Sequence, residues 1–365
     1  MQRMIITRLV CRHSRRSFAT HSNTSTTSIL QIPMEEARTT TARALQQIGW
    51  NVKDAALQAD IMIAAELCGN NQGLVKMYQP KQMAPAPGAG VPVVERETPS
   101  SAVINANKAP GMLAAVTAAD LAVQKVHSGN SIAMVCAYNS CTSSGQLAYY
   151  VNRMAQTGCI GVALCNSPEF VAAAPGAKPV FGTNPLAIGI PRAGTVPYTF
   201  DMATSAIALF GVLSAQAKGE PLPPQVAYDA QGQFTTDAKQ VMNGGAIATF
   251  GGHKGLGLSL CVELLAGALS GAAVLGQVES KKMAQSWGHT FIAINPHAFV
   301  DDFEEKSASI LRTVQASGEN VRIPGERSVK TAQERQAAGV LPIPQTIWDS
   351  ICHTAQHGLE TPSRE

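Results

Sequence analysis

Residues 180–205, VFGTNPLAIGIPRAGTVPYTFDMATS, decide how this chain is read. Inside them LAIGI, at 186–190, is five apolar or small residues in a row, which suits a short strand covered on both faces. The residues around it are not packing types. Gly182, Thr183, Asn184 and Pro185 make a tight turn with one hydroxyl and one amide before the strand. After a second strand-like piece, YTF, come Asp201, Met202, Ala203, Thr204 and Ser205. A polar turn at one strand end, with an acid and hydroxyls at another, is how an α/β protein lines a ligand crevice. Asp201 ahead of Ala-Thr-Ser-Ala-Ile-Ala also suits a helix N-cap, so a purely structural reading stands beside the first.

Working outward, residues 111–250 read as an α/β body. An apolar helix over 112–126, strand SIAMVCA, the polar loop 138–145, helix QLAYYVNRMAQTG and strand CIGVALC alternate as a sheet flanked by helices would. Two helical stretches precede them, over 34–49 and from Val52 to Glu66, and give way to a Gly-Asn turn at 69–73. Residues 79–97, with Pro80, Pro85, Pro87 and Pro92, predict an exposed connection. Later, Gly251-Gly252-His253-Lys254-Gly255 feeds an apolar helix over 256–269. Such a turn presents free backbone N–H groups to an anion, and Lys254 adds charge. Glu263, inside that helix, needs a partner if buried. Gly325-Glu326-Arg327 offers a guanidinium that can clamp a phosphate or carboxylate, or pair with a neighbouring acid. His289 and His297 flank strand TFIAI and read as structural. No G-x-G-x-x-G occurs, so a nicotinamide cofactor cannot be argued from the Rossmann fingerprint.

With 365 residues and 45% hydrophobic content, the chain is long enough for two or three domains and a sizeable core. No apolar run reaches the length of a membrane span. The net charge of +3 includes Arg3, Arg8, Arg12, Arg15 and Arg16, all ahead of the first acid, Glu35; without these five it is −2. A slightly acidic body argues against a nucleic-acid partner. Residues 1–27 are rich in Arg and Ser, lack acids and carry apolar residues at helical spacing, the composition of a mitochondrial presequence, with Arg16-Ser17-Phe18-Ala19 as a processing site. An ordinary disordered N-terminus is the alternative. The eight cysteines show no C-x-x-C and no cysteine/histidine cluster, which suggests free thiols in a reducing compartment and no metal site; Cys141 is the one placed to face a ligand.

GTNPLAIGIP and FDMATS resemble the paired signatures of the malate/L-lactate dehydrogenase family whose fold is not the Rossmann fold. That family also includes ureidoglycolate and sulfolactate dehydrogenases, diketogulonate reductase and a cyclic imine reductase acting on piperideine carboxylate. The resemblance continues through GGHKGLGLSLCVELLAGALSGA, WGHTFIAINPHAF and IPGERSVKTAQER, and so covers most of the chain from about Glu35 onward. It implies an α/β, non-Rossmann nicotinamide-binding domain over 106–299 with a helical part from 28–105 and 300–365. It also implies a homodimer, NAD or NADP as cofactor, and hydride transfer between nicotinamide and a small 2-hydroxy acid or 2-oxo acid such as malate or lactate. Cofactor contacts are implied for Thr183, Asn184, Asp201, Met202, Ala203, His253, Lys254, Gly325, Glu326 and Arg327.

Reducing a 2-oxo acid needs a cation for the carboxylate, a donor for the carbonyl oxygen and a positioned nicotinamide. Members of the family resembled carry the donor as a histidine in a Ser-His-Gly turn, and often a second histidine in the loop that here spans 138–145. In this chain Gln72 stands at the first position, with Asn71 in place of the serine, and Ser143 at the second. Lys76 stands where the family has arginine; four residues from Gln72, it shares a face with it if the turn is helical. Glutamine can polarise a carbonyl but has no proton to release near neutral pH. Three readings remain open. The donor is another group, such as His253, Lys254 or a water; the substrate is an imine already protonated, as for a piperideine carboxylate reductase; or the protein binds nicotinamide without turnover.

Overall fold

A computed structural model of the chain describes residues 28–70, 72–278 and 286–360; the presequence expected over 1–27 and the replacement at Asn71 lie outside them. Strand β1 (Ile29–Pro33) leads into helices α1 (Met34–Gln47) and α2 (Val52–Leu67), a 3₁₀ turn (Leu74–Tyr78) and the short α3 (Pro80–Met83). There follow β2 (Val93–Glu97), β3 (Ser101–Asn105), α4 (Gly111–His127), β4 (Ile132–Tyr138), α5 (Ala148–Gln156) and β5 (Ile160–Cys165). Then come β6 (Val171–Ala172), β7 (Pro179–Phe181), β8 (Leu186–Ile190), β9 (Tyr198–Met202), α6 (Leu209–Lys218), β10 (Ala227–Tyr228), α7 (Ala238–Met242) and β11 (Ala246–Ile247). Helix α8 (His253–Val262) continues as a π-helical stretch (Glu263–Ala268), and β12 (His289–Ile294), α9 (Phe303–Gln315), α10 (Glu326–Ala338), β13 (Val340–Pro344) and α11 (Gln345–His357) complete the order.

Seven strands form one mixed sheet in the order β2-β3-β4-β12-β5-β8-β9, in which only β3 and β4 run parallel. LAIGI is β8, next to the edge strand β9, and both its faces are covered. On one face Gly189 pairs across the sheet with Gly161 of β5. A Cβ at Gly189 would lie 2.2 Å from the carbonyl oxygen of Val151, and one at Gly161 would lie 2.8 Å from the Met154 Cβ. The two glycines together make a flat patch on which α5 lies directly against the strands. On the other face Leu164 packs with Val262 and Ala266 of α8 and its π-helical continuation, and Leu186 joins them.

The main core runs from α1, α2 and α11 to the sheet without a break. Strands β1 and β13 pair antiparallel and tie the two ends of the described chain together. A second core, with Val171, Phe181, Val212, Ala227, Val241 and Ile247, belongs to a small sheet of order β10-β11-β6-β7 with α6 and α7. His289 is fully buried on β12, and burial pushes its imidazole down to about 4, so it is neutral. Cys141 is buried in the main core. Among the described residues no helix is long and apolar enough to cross a membrane, and no three His, Cys, Asp or Glu residues gather as metal ligands.

Two local expectations change. Residues 79–97 are not a plain connection. The Trp50 indole N–H donates to the Met83 carbonyl at 2.7 Å and pins α3, and 93–97 form the outermost strand of the large sheet. Asp201 does not open a helix of its own, because the strand runs on through Met202 and the next helix begins at Leu209. It caps a different helix, α5, by accepting the Ala148 N–H at 2.8 Å. A cap contributed across the sheet leaves no local spacing to read.

Candidate active site

The turn after α2 is built around a glycine that tolerates no side chain. A Cβ at Gly73 would sit 2.7 Å from both the Glu66 Oε1 and the Met62 carbonyl oxygen. Glu66 uses that close approach to accept the Leu74 N–H at 2.8 Å, and burial raises its carboxyl to about 7. The Asn70 side chain accepts the Gln72 N–H at 2.9 Å. Ser350 of α11 donates to the Met77 carbonyl at 2.7 Å. Together these contacts hold the 3₁₀ turn that carries Lys76.

Lys76 is buried, 4% exposed. Its Nζ donates to Gln72 Oε1 at 2.9 Å and to Ser143 Oγ at 3.0 Å, and lies 4.6 Å from the centre of the Phe210 ring. Gln72, Lys76 and Ser143, picked out separately along the sequence, thus meet at one point. In this contact the lysine is the donor and the Gln72 carbonyl oxygen faces it, which leaves the Gln72 amide N–H₂ group as a donor for another oxygen. The loop bearing Ser143 is pressed onto the start of α4, where a Cβ at Gly111 would lie 2.2 Å from the Thr142 carbonyl oxygen. Phe210, on α6 beside the small sheet, closes the cluster. It carried no signal in the sequence, since a phenylalanine in an apolar helix looks like core.

The segments expected to hold a cofactor also converge. Thr204 donates its N–H to the Thr183 carbonyl at 2.9 Å, and its hydroxyl lies 3.0 Å from the Asn184 carbonyl and 2.7 Å from the Ser259 hydroxyl of α8. Phe250 donates its N–H to the Thr204 carbonyl. The GTNP turn, the DMATS segment and the GGHKG turn are thereby one hydrogen-bonded unit. Asn184 is fully buried at φ +38°, a left-handed position that asparagine tolerates, and its amide donates to Glu263 Oε2 at 2.8 Å. Glu263 also accepts the Asn166 amide at 3.2 Å and the Leu275 N–H at 2.9 Å, so the carboxylate inside the apolar helix has its partners.

Met202 pairs with Leu186 across β8 and β9, and Ala203 follows it half-buried. His253 and Lys254 are exposed at the start of α8, whose first N–H groups have no side-chain cap after the positive-φ residues Gly251 and Gly252. Gly325 packs the start of α10 onto β9, where its Cβ would lie 2.4 Å from the Thr199 carbonyl oxygen. Glu326 turns back to accept the Ile323 N–H at 3.2 Å and the Gln315 amide at 3.2 Å, while Arg327 is exposed. Helix N–H groups with no side-chain cap beside the exposed Lys254 are donors of the kind that suit a dinucleotide phosphate, and Arg327, at the start of α10, is a separate exposed cation.

Residues 32–352 match the malate/L-lactate dehydrogenase family. The chain belongs to it. The family places the protein among dehydrogenases acting on the CH–OH group of donors. Over 319 residues, 85% of this chain and 93% of the relative, it is 32% identical to the malate/(S)-sulfolactate dehydrogenase of Methanothermus fervidus. It is 35% identical over 271 residues, 72% of this chain and 77% of the other, to Delta(1)-pyrroline-2-carboxylate reductase 2 of Burkholderia multivorans. Its fold is that of the malate dehydrogenase of Entamoeba histolytica, with a TM-score of 0.82 and 26% identity over 92% of this chain and all of that one.

Burial raises the Asp201 carboxyl from its ordinary 3.8 to about 6. A folded-state value above the unfolded one means that its protonation favours the fold, an advantage lost as pH rises through about 6. Asp201→Asn keeps an oxygen for the Ala148 N–H and removes the titration. Urea unfolding is expected to show the wild type losing ground to this variant between about pH 4 and pH 6 and running parallel to it above. Parallel curves throughout would contradict the buried, protonatable cap.

Proposed function

We propose that this protein transfers a hydride between NAD or NADP and a small 2-hydroxy acid or 2-oxo acid such as malate or lactate. The cyclic imines related to proline and pipecolate are the second substrate class. The observation that carries this reading is the meeting of Gln72, Lys76, Ser143 and Phe210 at one buried point of a chain whose GTNP, DMATS and GGHKG segments form one hydrogen-bonded unit. Thr183, Met202, Ala203, His253, Lys254, Gly325 and Arg327 are the residues that would hold the dinucleotide, with Asn184, Asp201 and Glu326 fixing the backbone of their segments. The nicotinamide supplies or accepts the hydride.

The chain's own groups do the rest. The Gln72 amide and the Ser143 hydroxyl each have hydrogen to donate to a substrate oxygen, the Lys76 ammonium attracts its carboxylate, and Phe210 keeps water from the reacting carbon. The imine class is favoured by the second relative and by the makeup of the cluster, since among the described residues Lys76 has Gln72, Ser143 and Phe210 and no imidazole as its partners, and an imine protonated in solution asks less of the protein.

The test uses protein beginning near Ala19. Binding of NADH and NADPH is followed by fluorescence, then loss of reduced-nicotinamide absorbance is followed against 2-oxo acids and cyclic imines. Consumption of either cofactor with one substrate is expected. Tight binding with no consumption across both classes would sink the catalytic reading and leave a nicotinamide-binding protein.

Two further parts belong to this proposal. Residues 1–27 direct the protein to the mitochondrial matrix, and their fusion to a fluorescent protein should do the same; diffuse fluorescence would count against it. The protein works as a homodimer, because Leu264 and Leu269 stand 61% and 53% exposed beside Leu258, Leu260 and Leu265 on α8 and its continuation. A run of exposed leucines on one helix is covered by another surface, and the self-complementary choice is a second copy. Sedimentation should give a dimer that Leu264→Glu separates; a monomeric wild type would refute this part.

A further inference from the structure

A lysine removed from water ordinarily sits against a carboxylate. Lys76 does not. Its hydrogen-bond partners are two neutral oxygens, Gln72 Oε1 and Ser143 Oγ, and its third neighbour is the face of Phe210. The elements packed against its turn are α2, α3 and α11, and the loop 139–147 supplies Ser143. Their titratable side chains are Lys53, Asp54, Asp60 and Glu66 of α2, Lys81 of α3, Asp349, Cys352, His353 and His357 of α11, and Cys141 of the loop, and Tyr78 on the turn itself is exposed. Among the described residues none of these carboxylates forms an ion pair with Lys76. Glu66, the nearest in sequence, spends an oxygen on the Leu74 N–H.

Two opposing effects act on this amine. The oxygens and the ring favour the ammonium; burial favours the neutral form and prevails, bringing Lys76 from the ordinary 10.5 down to about 7. A lysine kept only to hold a carboxylate would gain from staying charged at every physiological pH. Here both forms are accessible, in a cluster whose other members, Gln72, Ser143 and Phe210, have no proton to release near neutral pH.

We propose that Lys76 is the proton-transfer group of this enzyme, the Nζ handing its proton to the substrate's carbonyl oxygen during reduction and recovering it from the hydroxyl during oxidation. The proposal rests on the oxidoreductase reading above. As the hydride from the reduced nicotinamide bonds to the carbonyl carbon, the C=O π pair moves onto oxygen. One Nζ–H bond breaks as the O–H bond forms, and the neutral amine left behind is recharged by a solvent proton. The oxygens of Gln72 and Ser143 aim Nζ and stabilise its charged form, while their own hydrogens stay available to the substrate oxygen. For oxidation the neutral amine is the active form, so the two directions have opposite pH dependence. A bound substrate carboxylate draws the amine back toward the ammonium, so kcat for reduction should decline at higher pH than kcat/KM, which reports the free enzyme.

The experiment has one arm without cofactor and one with it. Protein carrying lysine labelled with carbon-13 at Cε is titrated by NMR, and Lys76→Met assigns the resonance. One lysine titrating near pH 7 and missing from the variant is expected, against ordinary lysines near 10.4. A spectrum in which every lysine titrates above about pH 9 would overturn the proposal, whether or not the variant folds.

In the kinetic arm, wild-type kcat/KM for reduction falls as pH rises through about 7. Lys76→Arg keeps a cation for the carboxylate, and should lose about 100-fold or more in kcat together with the pH decline. A Lys76→Arg enzyme within about threefold of the wild type would show that the residue only holds the carboxylate, and the proposal fails. A wild type that turns over no substrate of either class fails the functional reading itself, and the two failures are told apart by which protein is inactive.

Discussion

Glu263→Leu should lower the free energy of unfolding by at least about 2 kcal/mol, the cost of taking the shared acceptor from a set of buried hydrogen-bond donors. The carboxylate is 4% exposed and receives the amides of Asn166 and Asn184 and the N–H of Leu275. Asn166 keeps the Ala273 carbonyl at 2.9 Å and Asn184 keeps the Ser259 carbonyl at 3.3 Å, whereas the Leu275 N–H loses its partner. An unpaired buried donor costs about 1–3 kcal/mol, and two weakened amides add to it. Glu263→Gln retains one acceptor oxygen and should recover part of the loss. Urea midpoints for the three proteins check this order. A Glu263→Leu shift no larger than that of a surface substitution would mean that the network does not organise the GTNP turn. The site sits at the start of a π-helical stretch, an irregularity found often at functional positions because it turns side chains off the regular helical face.

Gly325→Ala is expected to weaken dinucleotide binding by tenfold or more and to destabilise the protein more than the same change at Gly339. The two glycines flank α10 at its start and its end, with φ of +90° and +69°. Alanine in the left-handed region costs about 1 kcal/mol at either. They differ in surroundings. A Cβ at Gly339 meets nothing within 4 Å, whereas one at Gly325 would stand 2.4 Å from the Thr199 carbonyl oxygen of β9. Backbone cannot rotate out of the way as a side chain can, so α10 must move off β9, at a further cost of about 1–3 kcal/mol. That movement shifts Arg327, two residues on from Gly325, relative to β9, the strand that ends in Asp201 and Met202. Titration of NADH into both variants, beside thermal melts, separates the effects. Equal affinities for the two would show that the GER segment takes no part in holding the cofactor.

Much of the architecture was legible in the sequence. The helices 34–47, 52–67 and 111–127 and the strands 132–138, 160–165 and 186–190 follow from apolar periodicity and glycine punctuation, which act over a few residues. Asp201 was readable as a cap, but not as the cap of α5. Residues 93–97 read as linker because five exposed positions give a strand no apolar pattern; pairing with β3 makes them one. At the candidate site, Gln72, Lys76 and Ser143 could each be singled out, two as departures from a motif and one as a lysine in an arginine's place.

The sequence by itself therefore determined the local elements, the family and the identity of the polar residues, because those depend on neighbours within a turn or a strand. Tertiary structure alone decided that Lys76 reaches Ser143, 67 residues away, with no carboxylate among the described residues paired to it, and that Phe210 of α6 lies over its amine. The physical reason is that protonation is set by what surrounds a group in space. Burial and hydrogen-bond partners turn a lysine that would be charged on any exposed turn into one balanced between its two forms.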